Sequence, residues 1–426
     1  MTKTYDTYKD SGSVWIGQIP SNWGIGNFRY YGEFTKGKLP TYTNIEGRGL
    51  PIIGASEMLG KECRTFTEEL NVPLCKHDDI LILWDGANAG IISSRHTGVV
   101  SSTAVKYECT HSNVDKNYLF HYLKSAEPFF KEKVNGTTIP HMNIKYINEI
   151  PLLLPLLSEQ RSIASFLDKK CGEIDSLISL QEEMIMELQA YKQSVITEAV
   201  TQGICTNVPK KDSGVEWIGE IPVNWDILPI RALFTKRNHK NNPIISTERL
   251  SLSIDVGITK YADKTTNLDR FKDDFTAYQL AYPDDIVLNS MNMIVGAVGK
   301  SAFMGCVSPV YYVITAKEGV DPNFYAYLLN SPKIREVYHS LGRGIYAIER
   351  GDGRVNTCRL KVPYYDFSII KVPVPTYNEQ VKIAKYLDDK ISQIDCLITL
   401  KKEKIQELKE YKKSVIYEYV TGKKKV

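Results

Sequence analysis

Few residues of this 426-residue chain have the type and spacing for covalent or nucleotide chemistry. Gly299-Lys300-Ser301 has the ending of a phosphate-cradling loop, GxxxxGK(S/T), in which backbone amides and the lysine hold a nucleotide's phosphates. That loop needs a glycine five residues before Gly299, and position 294 is Ile. The corresponding turn earlier in the chain, Asn88-Ala-Gly-Ile-Ile92, has no lysine, so no nucleotide site is expected. HExxH, GxSxG and HxE…CxxC are absent. So are the Asp/Asn-Pro-Pro-aromatic tetrapeptide of amino-methyltransferases and a glycine-rich cofactor loop after a first strand. The eight cysteines (63, 75, 109, 171, 205, 306, 358 and 396) form no CxxC pair and lie at no zinc spacing from histidine. They read as reduced, mostly buried thiols of a cytoplasmic protein. His121 and His339 read as packed or solvated. No catalytic residue and no metal site is expected, and the chain reads as a binder.

The side chains suited to binding lie in two groups. The first holds Arg48, Asn88, Arg95, His96 and the stretch Gly136–Lys145 with Thr137, Thr138, His141, Asn143 and Lys145. The second holds Lys236, Arg237, Lys240, Asn289, Asn292, Lys300, Arg343, Arg350 and Arg354. Arginine and lysine suit guanine O6/N7 or phosphate, and asparagine suits adenine N6/N7. Each residue alone reads more readily as a solvated loop side chain, and only their shared placement in loops of domains that differ between the copies raises the set above that. A net charge of +3 permits basic patches without arguing for them.

The elements that must position these groups are written twice. Lys9–Trp23 (KDSGSVWIGQIPSNW) and Lys211–Trp225 (KDSGVEWIGEIPVNW) share 11 of 15 residues at an offset of 202. Ser158–Thr201 and Asn378–Thr421 share 24 of 44 at an offset of 220, so the second copy carries 18 extra residues between the two matches. The intervening stretches are less alike but related. His77–Leu83 matches Pro283–Asn289, each an Asp-Asp turn entering a buried strand, and Val114–Tyr118 matches Val320–Phe324. Further strands are expected at Gly98–Tyr107 and Gly305–Ile314, and helices at Tyr118–Lys124 and Phe324–Leu329. The extra residues point to an added loop around Arg343–Arg354. Four of the five tryptophans, Trp15, Trp23, Trp217 and Trp225, read as anchors packing each lead-in segment onto a shared frame.

The well-preserved segments read as long helices. Each follows a proline, with Ser158 or Asn378 as N-cap and Glu159 or Glu379 in the first turn, and Gly203 or Gly422 as the stop. Apolar residues recur at Ile174, Leu177, Ile178, Ile185, Leu188, Tyr191 and Val195, and again at Ile394, Leu397, Ile398, Ile405, Leu408, Tyr411 and Val415. This narrow stripe, interrupted by Gln181 and Lys401, suits lengthwise helix pairing. At ~1.5 Å per residue some 40 residues make a rod of about 60 Å, and two rods related by a pseudo-twofold would pair antiparallel.

The order "IPxxW, variable domain, PxxxEQ, IDxLIxL, LxxYKxSVIxExVT", stated twice, resembles the specificity (S) subunits of type I restriction–modification systems, the HsdS family. It is carried by Ile19–Trp23, Pro155–Gln160, Ile174–Leu180 and Leu188–Thr201, then by Ile221–Trp225, Pro375–Gln380, Ile394–Leu400 and Leu408–Thr421. The resemblance implies an α/β (α+β) chain of two target-recognition domains joined by two long helices in an antiparallel coiled coil. The divisions are 1–155, first recognition domain; 156–204, central helical spacer; 205–375, second recognition domain; and 376–426, C-terminal spacer. It implies that each domain reads half of a bipartite double-stranded DNA target, while the helices set the gap and dock two modification (M) subunits. Restriction (R) subunits would complete the complex, with no membrane involved. No cofactor is expected in this chain; S-adenosylmethionine belongs to the M partner, and ATP and Mg to the R partner. The alternatives are a protein-only scaffold with two ligand domains on a coiled-coil rod, and an enzyme whose motif the spacing does not reveal.

Overall fold

The computed structural model describes residues 4–134, 140–205, 207–254, 256–263, 274–345 and 359–426. It divides into two compact units, Met1–Glu182 with Lys402–Val426, and Glu183–Lys401. The long helices run Leu157–Gln202 (central) and Tyr377–Val420 (C-terminal), so each unit holds one globular domain and about half of each helix. The helix ends are apolar on one face and carry that face into a domain core.

In the first unit, strands Tyr8–Asp10 and Gln18–Pro20 form an antiparallel hairpin that delivers Trp23 into the core, fully buried. An antiparallel sheet follows in the order Gly32–Lys36, Ala104–Cys109, Ile80–Leu83, Ile92–Ser93. A second sheet takes the order Phe66–Thr67, Leu50–Ile53, Gly98–Val100, Leu74–Cys75. The stretch expected as one strand, Gly98–Tyr107, is therefore two strands in different sheets. The chain turns between them, where Ala104 N donates to Ser101 O at 2.9 Å. Helix Lys116–Ser125 is capped by Asp115, which accepts from Tyr118 N, and packs with Ile163, Leu167, Val415, Ile416 and Val420 in one core.

The second unit repeats this plan. Its main sheet runs Phe234–Lys236, Tyr311–Ala316, Ile286–Asn289, Val298–Lys300. Gly305–Val307 and Tyr311–Ala316 again split one expected strand between two sheets. Helix Pro322–Leu329, capped by Asp321, packs with Trp225, Val195, Ile196, Val200, Ile383 and Leu387.

Two repeated devices fasten helix to domain. The glutamine of each Glu-Gln pair is buried. Gln160 Oε1 accepts from Asp115 N at 2.8 Å, and its Nε2 donates to Pro155 O at 2.9 Å and Asn113 O at 3.1 Å. Gln380 accepts from Asp321 N at 2.8 Å and donates to Pro375 O at 2.9 Å. Each helix stop also meets an indole. Gly203 and Gly422 take φ of +79° and +71°, and a Cβ there would lie 3.2 Å from Trp225 Cζ2 and 3.1 Å from Trp23 Cη2. The left-handed turn and the ring together require glycine.

The helices begin earlier than their expected caps. Ser158 and Asn378 lie inside the first turn, since the helices start at Leu157 and Tyr377. Glu379 Oε2 accepts from Thr376 N at 3.1 Å and from its hydroxyl at 2.8 Å. In the first copy Glu159 accepts instead from the Tyr5 hydroxyl at 2.6 Å. Gly172 does not interrupt the central helix.

Helix pairing is antiparallel within each unit. Asp175 meets Lys412 at 2.7 Å and the Phe166 ring lies 4.5 Å from that of Tyr419 in the first; Lys192 meets Asp395 at 2.8 Å in the second. Ile174, Val195, Ile394, Ile398, Ile405 and Val415 are buried, and Ile178, Ile185, Leu188 and Leu408 half-buried. Leu177, Tyr191, Leu397 and Tyr411 correct the expected stripe: each is about half exposed, at 47%, 49%, 47% and 51%. The partly covered positions follow 174, 178, 181, 185, 188, 192 and 195, so the seam passes through Gln181 and Lys192. Lysine serves there because its stem lies along the apolar groove while its ammonium reaches a carboxylate. Choosing apolar type over strict 4-3 spacing puts Tyr191 where Lys192 belongs.

Candidate nucleic-acid interface

In the first domain, two segments flank the C-terminal end of strand Ile80–Leu83. Gly86 N donates to Pro140 O at 3.0 Å and Met142 N to Trp84 O at 2.7 Å, which joins the turn Trp84–Gly90 to the segment 140–145. This brings Asn88, His141, Asn143 and Lys145 to one edge. It adds two residues that sequence reading missed, Lys36 and Asp85. Lys36 Nζ lies 2.6 Å from Asp85 Oδ2, and His141 Nδ1 lies 2.5 Å from Asp85 Oδ1. Partial burial works to raise the Asp85 pKa, and the Lys36 and His141 hydrogen bonds outweigh it, holding the carboxyl below its ordinary range. Asn88 and Lys145 are exposed. Asn143 accepts from Lys145 N at 2.9 Å and so caps the short helix Ile144–Asn148. Thr137 and Thr138 lie outside the described residues.

Three candidates of the first group stand apart from this edge. Arg48 is exposed in a loop closed by Asn44 and is ion-paired with Glu46. His96 is half-buried and bonded to Ser93 Oγ at 2.6 Å. Arg95, at φ 65°, donates to Asp168 of the central helix at 2.9 Å. Asp168 also meets the buried His121 Nε2 at 3.0 Å, while the repeat-equivalent Asp388 accepts from the Tyr327 hydroxyl at 2.5 Å. Arg95 is thus a tie between loop and helix.

The His121 tie has a consequence for stability. Burial pulls the His121 imidazole below its ordinary 6.5 against the opposing pull of Asp168, and burial does the same to His96. A histidine whose folded pKa is depressed binds protons more readily when unfolded. Its contribution is therefore complete above about pH 6.5 and is lost as pH falls through that value. The thermal midpoint is expected to fall between about pH 7.5 and 5.5, with a shallower fall in His121→Gln. A midpoint that rises on acidification contradicts this.

The second domain builds the equivalent edge with other residues. Val362 N donates to Ser290 O at 3.0 Å, the counterpart of the Met142–Trp84 bond. Between those two points the repeat offset grows from 206 to 220, so 14 of the 18 extra residues fall there. Arg350 and Arg354, within the expected added loop, lie outside the described residues. Lys236 Nζ sits 4.7 Å from the Tyr364 ring centre and 5.7 Å from that of Tyr312. Asn292 is exposed, while Asn289 Oδ1 accepts from Met291 N at 3.1 Å. Arg343, 74% exposed, pairs with Asp366 at 2.7 Å.

Internal partners engage other candidates. Arg237 grips the buried Asp285 with Nε at 2.7 Å and Nη2 at 3.1 Å, and lies 4.6 Å over Tyr282. Lys300 pairs with Asp284 at 3.0 Å, across the Asp-Asp turn. Lys240 is exposed beside a backbone bridge to Gln279. A basic residue near an acidic turn carries no mark in sequence that separates a structural pair from a ligand contact. Among the described residues no group of His, Cys, Asp and Glu could hold a metal ion. The seven described cysteines are free, and no described helix is long and apolar enough to cross a membrane.

A family model for the type I restriction modification DNA specificity domain matches residues 20–188. The type I restriction enzyme MjaVIII specificity subunit of Methanocaldococcus jannaschii is 28% identical over 433 residues, covering 96% of this chain and 94% of its own. The EcoDI specificity subunit of Escherichia coli is 20% identical over 327 residues, 73% of this chain and 70% of its own. A chain solved in work on complex assembly and conformational transition of the type I R-M system has the same fold. Its TM-score is 0.66 at 13% identity, over 94% of this chain and 98% of that one. Built twice on one plan, this chain carries a match to the type I restriction modification DNA specificity domain over residues 20–188 and is similar along nearly its whole length to a specificity (S) subunit of a type I restriction enzyme.

Proposed function

We propose that this chain is the non-catalytic, sequence-reading member of a cytoplasmic type I restriction–modification complex. Each recognition domain reads one half of a bipartite double-stranded DNA target in the major groove. The observation that carries this is the contrast at the two reading edges. The main sheets share one strand order, yet Met291 and Lys361 stand where the first domain has Asp85 and His141. One scaffold holding two different side-chain sets suits an asymmetric target.

The paired helices set the distance between half-sites and dock two M subunits, which would hold S-adenosylmethionine and methylate adenine. Each unit leaves the same exposed apolar set on its helices: Leu177, Leu180 and Tyr411 in the first, Leu397, Leu400 and Tyr191 in the second. Two equivalent patches suit two identical partners. R subunits would bring ATP, Mg and DNA cleavage. The modest net charge of +3 fits a complex in which partners supply much of the phosphate grip.

Methylome sequencing of cells expressing this chain with its M subunit should give a bipartite motif with one methyladenine in each half. Exchanging residues 26–150 for those of another family member should change one half only. A change in both halves contradicts the modular reading.

A further inference from the structure

The tie among Lys36, Asp85 and His141 is fixed at the backbone as well as the side chains. Asp85 and His141 form an antiparallel bridge, and the two segments are bonded on either side of it at 3.0 and 2.7 Å. The Trp84 ring stands edge-on to His141 at 6.3 Å and carries Lys36 Nζ at 5.8 Å. Asp85 thus has one oxygen on the ammonium and the other on His141 Nδ1. A carboxylate only accepts, so Nδ1 carries the proton toward it and the ring orientation is set. His141 Nε2 has no hydrogen-bond partner among the described residues, and the side chain is 54% exposed. An oriented ring with one free nitrogen on a half-exposed side chain is prepared for a ligand rather than for the fold.

Three considerations decide which ligand. The ion pairs are solvent-exposed and contribute little to stability, so stability does not account for so complete a network. A grip on the phosphate backbone is also a poor match, since Asp85 offsets the Lys36 charge beside it. The network is moreover confined to one copy, with Met291 and Lys361 at the equivalent positions of the other. A feature that differs between two domains of one fold suits the reading of a particular base.

Resting on the reading of this chain as a DNA-specificity subunit, we propose that His141 Nε2 contacts one base edge in the half-site read by the first domain. Asp85 is its positioning residue and Lys36 anchors Asp85. Neutral His141 presents Nε2 as an acceptor for an exocyclic amino group of adenine or cytosine, and the protonated ring presents a donor for guanine N7 or O6.

The test is the methylome of cells carrying this chain with its M subunit, comparing wild type, His141→Ala and Asp85→Asn. His141→Ala should relax one position of one half by about tenfold or more in discrimination, leaving the other half intact. Asp85→Asn should relax the same position with an unchanged thermal midpoint, because an exposed pair is lost while the base contact is misaimed. The base at that position separates the amino-group arm from the guanine arm. A wild-type bipartite motif that both variants reproduce unchanged overturns the assignment but leaves the specificity reading standing. Uniform weakening of both halves by His141→Ala also overturns it, as a phosphate contact would act that way. Absence of any bipartite motif in wild type overturns the specificity reading and this assignment with it.

Discussion

Replacing Trp225 with alanine is expected to destabilise the second unit by about 4 kcal/mol, the middle of the range for a large aromatic removed from a core. Trp225 is 1% exposed and shares its cluster with Val195, Ile196 and Val200 of the central helix and Ile383 and Leu387 of the C-terminal one. The indole thus fills a space bounded by the domain and by two helices. Its removal leaves a cavity that none of three rigid elements can close alone. Hydrogen exchange should report the loss first in Val195–Val200 and Ile383–Leu387, and methylation in cells should fall with it. A loss below about 1 kcal/mol would mean that the site collapses freely and that the tryptophan is no anchor. Trp23, fully buried among residues including Val415, Ile416 and Val420, should behave alike in the first unit.

Gln160→Leu is expected to cost about 3 kcal/mol despite the similar size of the two side chains. The leucine would leave the Asp115 N–H and the Pro155 and Asn113 carbonyls without the partners they have now. Buried polar groups deprived of a bond lose their full hydration, about 1–3 kcal/mol each, whereas an exposed ion pair contributes about 0–1. Gln160→Leu should therefore destabilise far more than Lys192→Met, which removes a surface pair with Asp395. Gln160→Glu keeps the acceptor for Asp115 N and loses the two donations, so it should not restore the wild-type midpoint. Equal midpoints for Gln160→Leu and Lys192→Met in calorimetry would refute the clamp.

Much of this was legible in the chain because duplication makes a pattern visible without any second sequence. The offsets of 202 and 220 mark both lead-in segments and both helices, and the proline and glycine flanks bracket the helix lengths closely. Legibility failed where two residue types compete for one position. Tyr191 has the apolar type of a pairing residue, yet Lys192 holds the seam, because a lysine stem covers apolar surface as well. The role of the repeated Glu-Gln was invisible, because its partners at Asn113 and Asp115 lie more than 40 residues away. The 4-3 spacing carries the signal for Lys192, and the recurrence of Glu-Gln at the same place in both copies carries a faint one for the clamp.

Sequence by itself determined the duplication, the two helices, the family resemblance and the absence of recognisable catalytic motifs, since each rests on local spacing or on identity between copies. Tertiary structure alone decided how the basic residues are used. Arg95, Arg237 and Lys300 face Asp168, Asp285 and Asp284, while Lys36, Asp85 and His141 meet at one edge across separations of 49 and 56 residues. Side-chain charge is written in the sequence, but whether it is spent inside the fold depends on which carboxylate the backbone brings within 3 Å or so.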